Sequence, residues 1–162
     1  MDHPLNILFV CTGNTCRSVL AHAFMKKILE EASGKNIQVN VFSAGVAAAA
    51  GLAASGEALK VLSNHGIDFS EHRSSPVTPE LVEQAHYIFT MTPDQKNHLL
   101  DSYPGAGEKI WLLKEYAGGR EETVSDPFGR GIAAYRQAAA EIGEALQEIV
   151  AKWERLRGKK EK

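Results

Sequence analysis

Cysteine is almost missing from this chain: its 162 residues hold two, at positions 11 and 16. Two thiols so close together exclude a disulfide framework, and in a reducing compartment they point to reactivity rather than scaffolding. No apolar run approaches the length of a membrane span, and the opening MDHPLN lacks the basic start of a secretory signal. A cytoplasmic protein without membrane contact is therefore expected. Neither sign of charge dominates: the net charge is −2 and no long basic stripe occurs, which argues against a nucleic-acid surface. What is present is the balance of a globular protein, 44% hydrophobic and 23% charged, long enough to bury one core without staples. Residues 1–157 are expected to form that single domain, as a monomer, with 158–162 a solvated charged tail.

Hydrophobic periodicity alternates between strand and helix. Leu5–Val10 is a short apolar run suited to a central parallel strand. After it, Leu20, Phe24, Ile28 and Ala32 recur every four residues, with Ala21, Met25 and Leu29 beside them, as in an amphipathic helix. IQVNVF reads as a second strand, Gly51–His65 as a helix stopped by Gly66, HYIFTM as a third strand, Pro93–Leu100 as a helix capped by Thr92 or Asp94, and KIWLL as a fourth strand. Ala117–Gly131 is rich in glycine and reads as a loop. From Ile132 a last helix carries Tyr135, Ile142, Leu146, Ile149, Val150, Trp153 and Leu156 on one side. The pattern predicts an α/β domain with a four-stranded parallel sheet, order 2-1-3-4, flanked by helices. Ligands of such sheets bind beyond the carboxyl ends of the strands.

The loop after the first strand is CTGNTCRS, Cys11 to Ser18. A turn of this length can aim successive backbone amides at one centre and, with the helix N-terminus that follows, hold a phosphate-like dianion. Gly13 allows close backbone approach, and Asn14 tolerates a left-handed conformation. Arg17 can add two parallel charge-assisted hydrogen bonds to phosphate oxygens. The same positive field favours a thiolate at Cys11, beneath the phosphate, where it can act as a nucleophile in covalent phosphoryl transfer. A flavodoxin-like module binding flavin mononucleotide is an alternative, because T-G-N followed by Thr15 also suits a flavin phosphate loop. Such a module needs neither Cys11 nor Arg17.

VCTGNTCRS, SAG at Ser43–Gly45, GIDFSEHRS at Gly66–Ser74 and DPFG at Asp126–Gly129 together resemble the low-molecular-weight protein tyrosine phosphatases, in family order along the chain. The resemblance implies a phosphatase acting on phosphorylated proteins, with no metal or cofactor. It implies Cys11 as the nucleophile and Arg17, with the amides of Thr12, Gly13, Asn14, Thr15, Cys16, Arg17 and Ser18, as the phosphate cradle. Ser18 would hydrogen-bond the sulfur, and Asp126 would be the general acid and then the base. Asn14, Ser18, Ser43 and His72 would support the loop. The chain departs from the family pattern at Val19, where many members have proline, and at His22, where they carry an acid. The other histidines, 22 included, read as structural.

Threonine at 15, where tyrosine-directed members have a bulky apolar residue, resembles the bacterial protein-arginine phosphatases. LKEYAGG and VSDPFG look like that branch as well. Thr15 would polarise the floor of the site, and Phe128 could stack on a planar guanidinium. Arsenate reductases of the same fold use further cysteines later in the chain, and none follows Cys16. Cys16 itself is read either as packing beneath the loop or as a resolving thiol for oxidised Cys11.

Overall fold

The computed structural model describes residues 4–32, 38–119 and 122–160, the last four of these by backbone alone. Strand β1 (Leu5–Cys11) is buried from Ile7 onward. Successive side chains of a strand face opposite ways, so Ile7, Phe9 and Cys11 enter one apolar core while Leu8 and Val10 enter a second. A strand apolar on both faces belongs inside a parallel sheet. There it lies, with β2 (Val39–Gly45) parallel on one side, β3 (Tyr87–Thr90) on the other, and β4 (Ile110–Leu112) beyond β3. The order is β2-β1-β3-β4, as the sequence predicts.

Helix α1 (Arg17–Glu31) presents Leu20, Ala21, Phe24 and Met25 to the first core. Helix α2 (Gly56–Asn64) adds Ala58, Val61 and Leu62, and the long α6 (Ile132–Lys160) adds Tyr135, Ile142, Leu146 and Ile149. The opposite face of the sheet is covered by α3 (Pro79–Gln84), α4 (Pro93–Ser102) and a 3₁₀ turn at Pro104–Lys109. A single helical turn, α5 (Leu113–Tyr116), follows β4. Among the described residues no helix is long and apolar enough to cross a membrane.

Several boundaries differ from the sequence reading, each for a local reason. The second helix starts at Gly56 rather than Gly51, because Gly51 takes φ 85° and Ser55 caps the helix by accepting from the Ala58 amide at 3.2 Å. Helix α3 has no counterpart in the sequence reading, although Thr78 caps it and Pro79 opens it. The fourth strand is shorter than KIWLL, since Lys109 closes the 3₁₀ turn and Leu113 begins α5. Leu156, expected on the buried side of the last helix, is 48% exposed. The backbone of α6 runs through Lys160, so the boundary expected at 158 falls inside a helix. Ile37 of the second strand, His3 and residues 161–162 of the tail lie outside the described residues, as do 120–121 of the long loop.

Strand β2 ends at Gly45, where the chain passes directly against the loop after β1. A Cβ at this position would lie 2.4 Å from the Thr12 carbonyl oxygen, 2.8 Å from Ala48 Cβ and 3.0 Å from the Asn14 nitrogen. Two of these neighbours are backbone of the loop itself and cannot yield without distorting it. Gly45→Ala is expected to destabilise the fold by about 1–3 kcal/mol, the usual range for overpacking. Chemical denaturation measures this, and an unchanged midpoint would show that the two segments part without cost.

Candidate active site

The loop from Cys11 to Ser18 is held from outside through its carbonyls. The Cys11 and Thr12 carbonyls accept from the amides of Val46 and Ala47, both at 2.9 Å, and the Thr15 carbonyl accepts from Ser55 at 3.0 Å. His72 Nε2 donates to the Asn14 carbonyl at 2.9 Å. In a trans peptide plane a carbonyl and the following N–H point in opposite directions. The amides of Thr12, Gly13, Thr15 and Cys16 therefore turn towards the centre of the loop. Helix α1 begins there with no side-chain cap, so its first-turn amides are left for an anion.

Asn14 organises the curl. Its φ is 55°, the left-handed region, and it is wholly buried. Its Oδ1 accepts from the Ser75 amide at 3.0 Å, and its Nδ2 donates to Ser18 Oγ at 2.8 Å. Ser18 Oγ is also 2.9 Å from Cys11 Sγ. Because Asn14 already donates to the Ser18 oxygen, the serine hydrogen is free to point at the sulfur and stabilise negative charge on it.

Arg17 is buried, with Nη1 donating to the Val124 carbonyl at 2.9 Å and Nη2 3.8 Å from Asp126 Oδ2. The aspartate side chain is 62% exposed. An ion pair so open to water adds little stability; it places a carboxylate opposite the loop. Asp126 Oδ1 accepts from the Phe128 amide at 3.1 Å, a local turn that fixes the carboxylate direction. Phe128 stands at the same turn, 71% exposed. Thr15 is half-buried in the loop, its Oγ1 3.7 Å from Cys16 Sγ.

The structure thus gathers Cys11, Asn14, Arg17, Ser18, His72 and Asp126 around one centre. Ser43 is the correction. Its hydroxyl pairs with His22 Nδ1 at 2.8 Å rather than with the loop. His22 in turn stands edge-on to Phe69 and to His72, with ring centroids 5.0 and 6.5 Å away, and Phe69 stacks on His72. Ser43 is therefore separated from Asn14 by two imidazoles, His22 and then His72. Cys16 sits beneath the loop, its Sγ 3.2 Å from the Tyr135 hydroxyl and 3.8 Å from Ser55 Oγ. Burial first, then the bond to Cys16, pushes the Tyr135 phenol up to about 12, so it keeps its proton.

Four partners escaped the sequence reading. Ser75 acts through a backbone amide, which leaves no side-chain signal. Tyr135 reads as one more apolar residue on its helix face. Gly45 is visible only as part of SAG. Gln95 was legible as the fourth residue of a T-x-x-Q capping pattern after Thr92, though not as a neighbour of the loop.

The sequence matches the family model described as low molecular weight phosphotyrosine protein phosphatase over residues 6–162. The chain belongs to this family. The phosphatase is 39% identical to the protein-arginine-phosphatase of Bacillus subtilis over 90% of this chain and 94% of that protein. It is 33% identical to a probable low molecular weight protein-tyrosine-phosphatase, EpsP, of Ralstonia nicotianae, over 91% and 92% of the two chains. Among solved structures it resembles YwlE arginine phosphatase, in a mutant with a phosphorylated active-site serine, with TM-score 0.87 and 39% identity over 93% of this chain and 96% of that one.

His22 links the stability of the fold to pH. Burial above all, then the charges of Lys26 and His72, push its imidazole down from 6.5 to about 4, while a hydrogen bond to the Val41 backbone acts the other way. The folded protein therefore keeps His22 neutral where the unfolded chain already takes up a proton. Stability from this group is complete above pH 6.5 and is lost as pH falls towards about 4. The loss is on the order of 3 kcal/mol. Wild type is expected to lose melting temperature more steeply across this window than His22→Asn; parallel curves would place the sensitivity elsewhere.

Proposed function

We propose that this phosphatase hydrolyses phosphoarginine residues in proteins through a phosphocysteine intermediate, as a cytoplasmic monomer without metal or cofactor. The observation that carries the reading is Cys11 Sγ under the Ser18 hydroxyl at the base of a loop whose amides converge, with Arg17 and Asp126 across it. In the first step the Cys11 sulfur attacks phosphorus, and the bond from phosphorus to the guanidinium nitrogen breaks. Asp126 gives its proton to that departing nitrogen. Arg17 and the loop amides hold the equatorial oxygens, since phosphoryl transfer depends mainly on positioning and charge. In the second step water attacks phosphorus, Asp126 takes its proton, and the sulfur leaves with the Ser18 hydroxyl donating to it. Asn14 and His72 keep the loop in shape, with Ser43 behind them.

Thr15 and Phe128 support arginine as the phosphorylated residue. A hydroxyl at 15 suits a polar, planar leaving group, and an exposed ring at 128 offers a stacking face. Phosphotyrosine is the second reading, favoured by the same ring, which could equally stack on a phenol. The two part on kcat/KM for matched peptides carrying phosphoarginine or phosphotyrosine, with Cys11→Ser as the blank. Wild type is expected to prefer phosphoarginine, and Thr15→Ile to reduce that preference by about tenfold or more, within the few kcal/mol that one pocket contact supplies. A wild-type preference for phosphotyrosine overturns the arginine assignment and leaves the phosphocysteine mechanism in place.

We infer also that Cys16 protects Cys11. Peroxide oxidises the Cys11 thiolate to a sulfenic acid, and the Cys16 thiol condenses with it, releasing water and forming a disulfide that dithiothreitol reverses. Both cysteines are free and buried in one loop. Peroxide-treated wild type is expected to regain activity in dithiothreitol while Cys16→Ser does not; equal recovery of the two removes the protective role.

A further inference from the structure

Gln95 makes more contacts than a helix cap requires. It is 3% exposed, and both polar atoms of its side chain are engaged. Oε1 accepts from the amide of Thr92, the N-cap of α4, at 3.1 Å and from that of Met91 at 2.9 Å. Two N–H donors on one oxygen settle which way the amide group is turned, because the flipped form would set NH2 against both. Nε2 is thereby committed to its remaining neighbour, Thr12 Oγ1, at 3.1 Å. Thr12 directly follows the nucleophile and is exposed at the mouth of the loop.

The contacts on either side close a circuit. The Met91 carbonyl accepts from the Val124 amide at 2.9 Å, and the Val124 carbonyl accepts from Arg17 Nη1 at 2.9 Å. Met91 is thus gripped through its N–H by Gln95 and through its carbonyl by the segment that leads to Asp126. The second and seventh residues of the phosphate loop, Thr12 and Arg17, are tied to one corner at the end of β3.

We propose that Gln95 is a positioning residue of this phosphatase. It holds Thr12 in register with the loop that carries Asp126, and it leaves the Thr12 hydroxyl hydrogen free to donate to a substrate oxygen or to the attacking water. The proposal rests on the phosphatase reading above. Since Thr12 Oγ1 accepts from Gln95, its own hydrogen is the donor that remains. Thr12 thereby adds a hydrogen bond beside the reacting phosphorus that the loop amides do not supply.

Gln95→Glu separates this role from capping. A glutamate keeps both acceptor contacts and is itself favoured in a capping box, but it cannot donate, so the Thr12 hydroxyl must turn round to donate to it. Thr12→Val removes the same bond from the other end at an exposed position. Steady-state kinetics on p-nitrophenyl phosphate are compared for wild type, both single variants and the double variant, with melting temperatures alongside. Each single variant is expected to lose about tenfold in kcat with KM within about twofold, as for an interaction made in the transition state. The double variant is expected to be no slower than either single, because one bond is removed in all three. Wild-type kcat in either single variant, or losses that multiply in the double, overturn the proposal. If Gln95→Glu does not fold, Thr12→Val decides alone by the same kcat criterion. A wild type no faster than Cys11→Ser would instead overturn the phosphatase reading itself.

Discussion

A left-handed asparagine is the constraint on which this molecule depends. Backbone at φ 55° is unfavourable for a residue with a side chain, and it persists only where the surroundings over-determine it. Around Asn14 they do. Ser75 donates to its side-chain oxygen, Ser18 accepts from its side-chain nitrogen, and His72 donates to its carbonyl. The reversal at Asn14 sends the flanking carbonyls outward and the amides inward, and it delivers the Ser18 hydroxyl to Cys11. Without it the same eight residues would make an ordinary strand-to-helix turn.

The sheet supplies the walls against which this loop is curled. Parallel pairing sets Cys11 beside Gly45 and Val10 beside Thr90, so the ends of β2 and β3 flank the loop on both sides. Each end contributes what the other cannot. Gly45 contributes an absence of side chain that lets backbone meet backbone. The Met91 corner contributes a hydrogen-bonded link from Thr12 round to Val124 and Arg17. Behind both, the first core presses α1 and α6 onto the sheet, and the Tyr135 hydroxyl meets the sulfur of Cys16 there. The phosphate loop is therefore a part of the core's boundary and not an appendage, which is why polar residues as buried as Asn14 and Ser18 are tolerated in it.

Legibility in the sequence followed locality. Strands such as β1 are legible because a short apolar run rich in Ile, Val and Phe, bounded by turn residues, is too brief for a helix and suits burial on both faces. Elements set by a single turn are not. Helix α3 is six residues long, too short for a helical period to emerge, and the start of α2 was decided by a positive φ at Gly51 and a capping serine four residues later. At the site, Cys11 and Arg17 fall within one eight-residue loop between a strand and a helix, and that setting suggests their chemistry. Asp126 and His72 stand out only through resemblance, because an aspartate before proline or a lone histidine means little by itself. The partner of Ser43 within the supporting network is not legible in the sequence. That partner is His22, and an i-to-i+4 face pattern says nothing about which imidazole meets which hydroxyl.

By itself, then, the sequence determined the alternation of strands and helices, the place of the loop and the thiols and guanidinium set within it. These follow from interactions between residues close together in the chain, which periodicity and turn chemistry encode directly. Tertiary structure alone decided the rest: that Ser75 and His72 hold Asn14, that Gln95 reaches Thr12, and that Tyr135 meets Cys16 across 119 positions of sequence. A hydrogen bond between distant residues depends on where two separately packed elements bring their atoms to within about 3 Å, and no local pattern carries that distance.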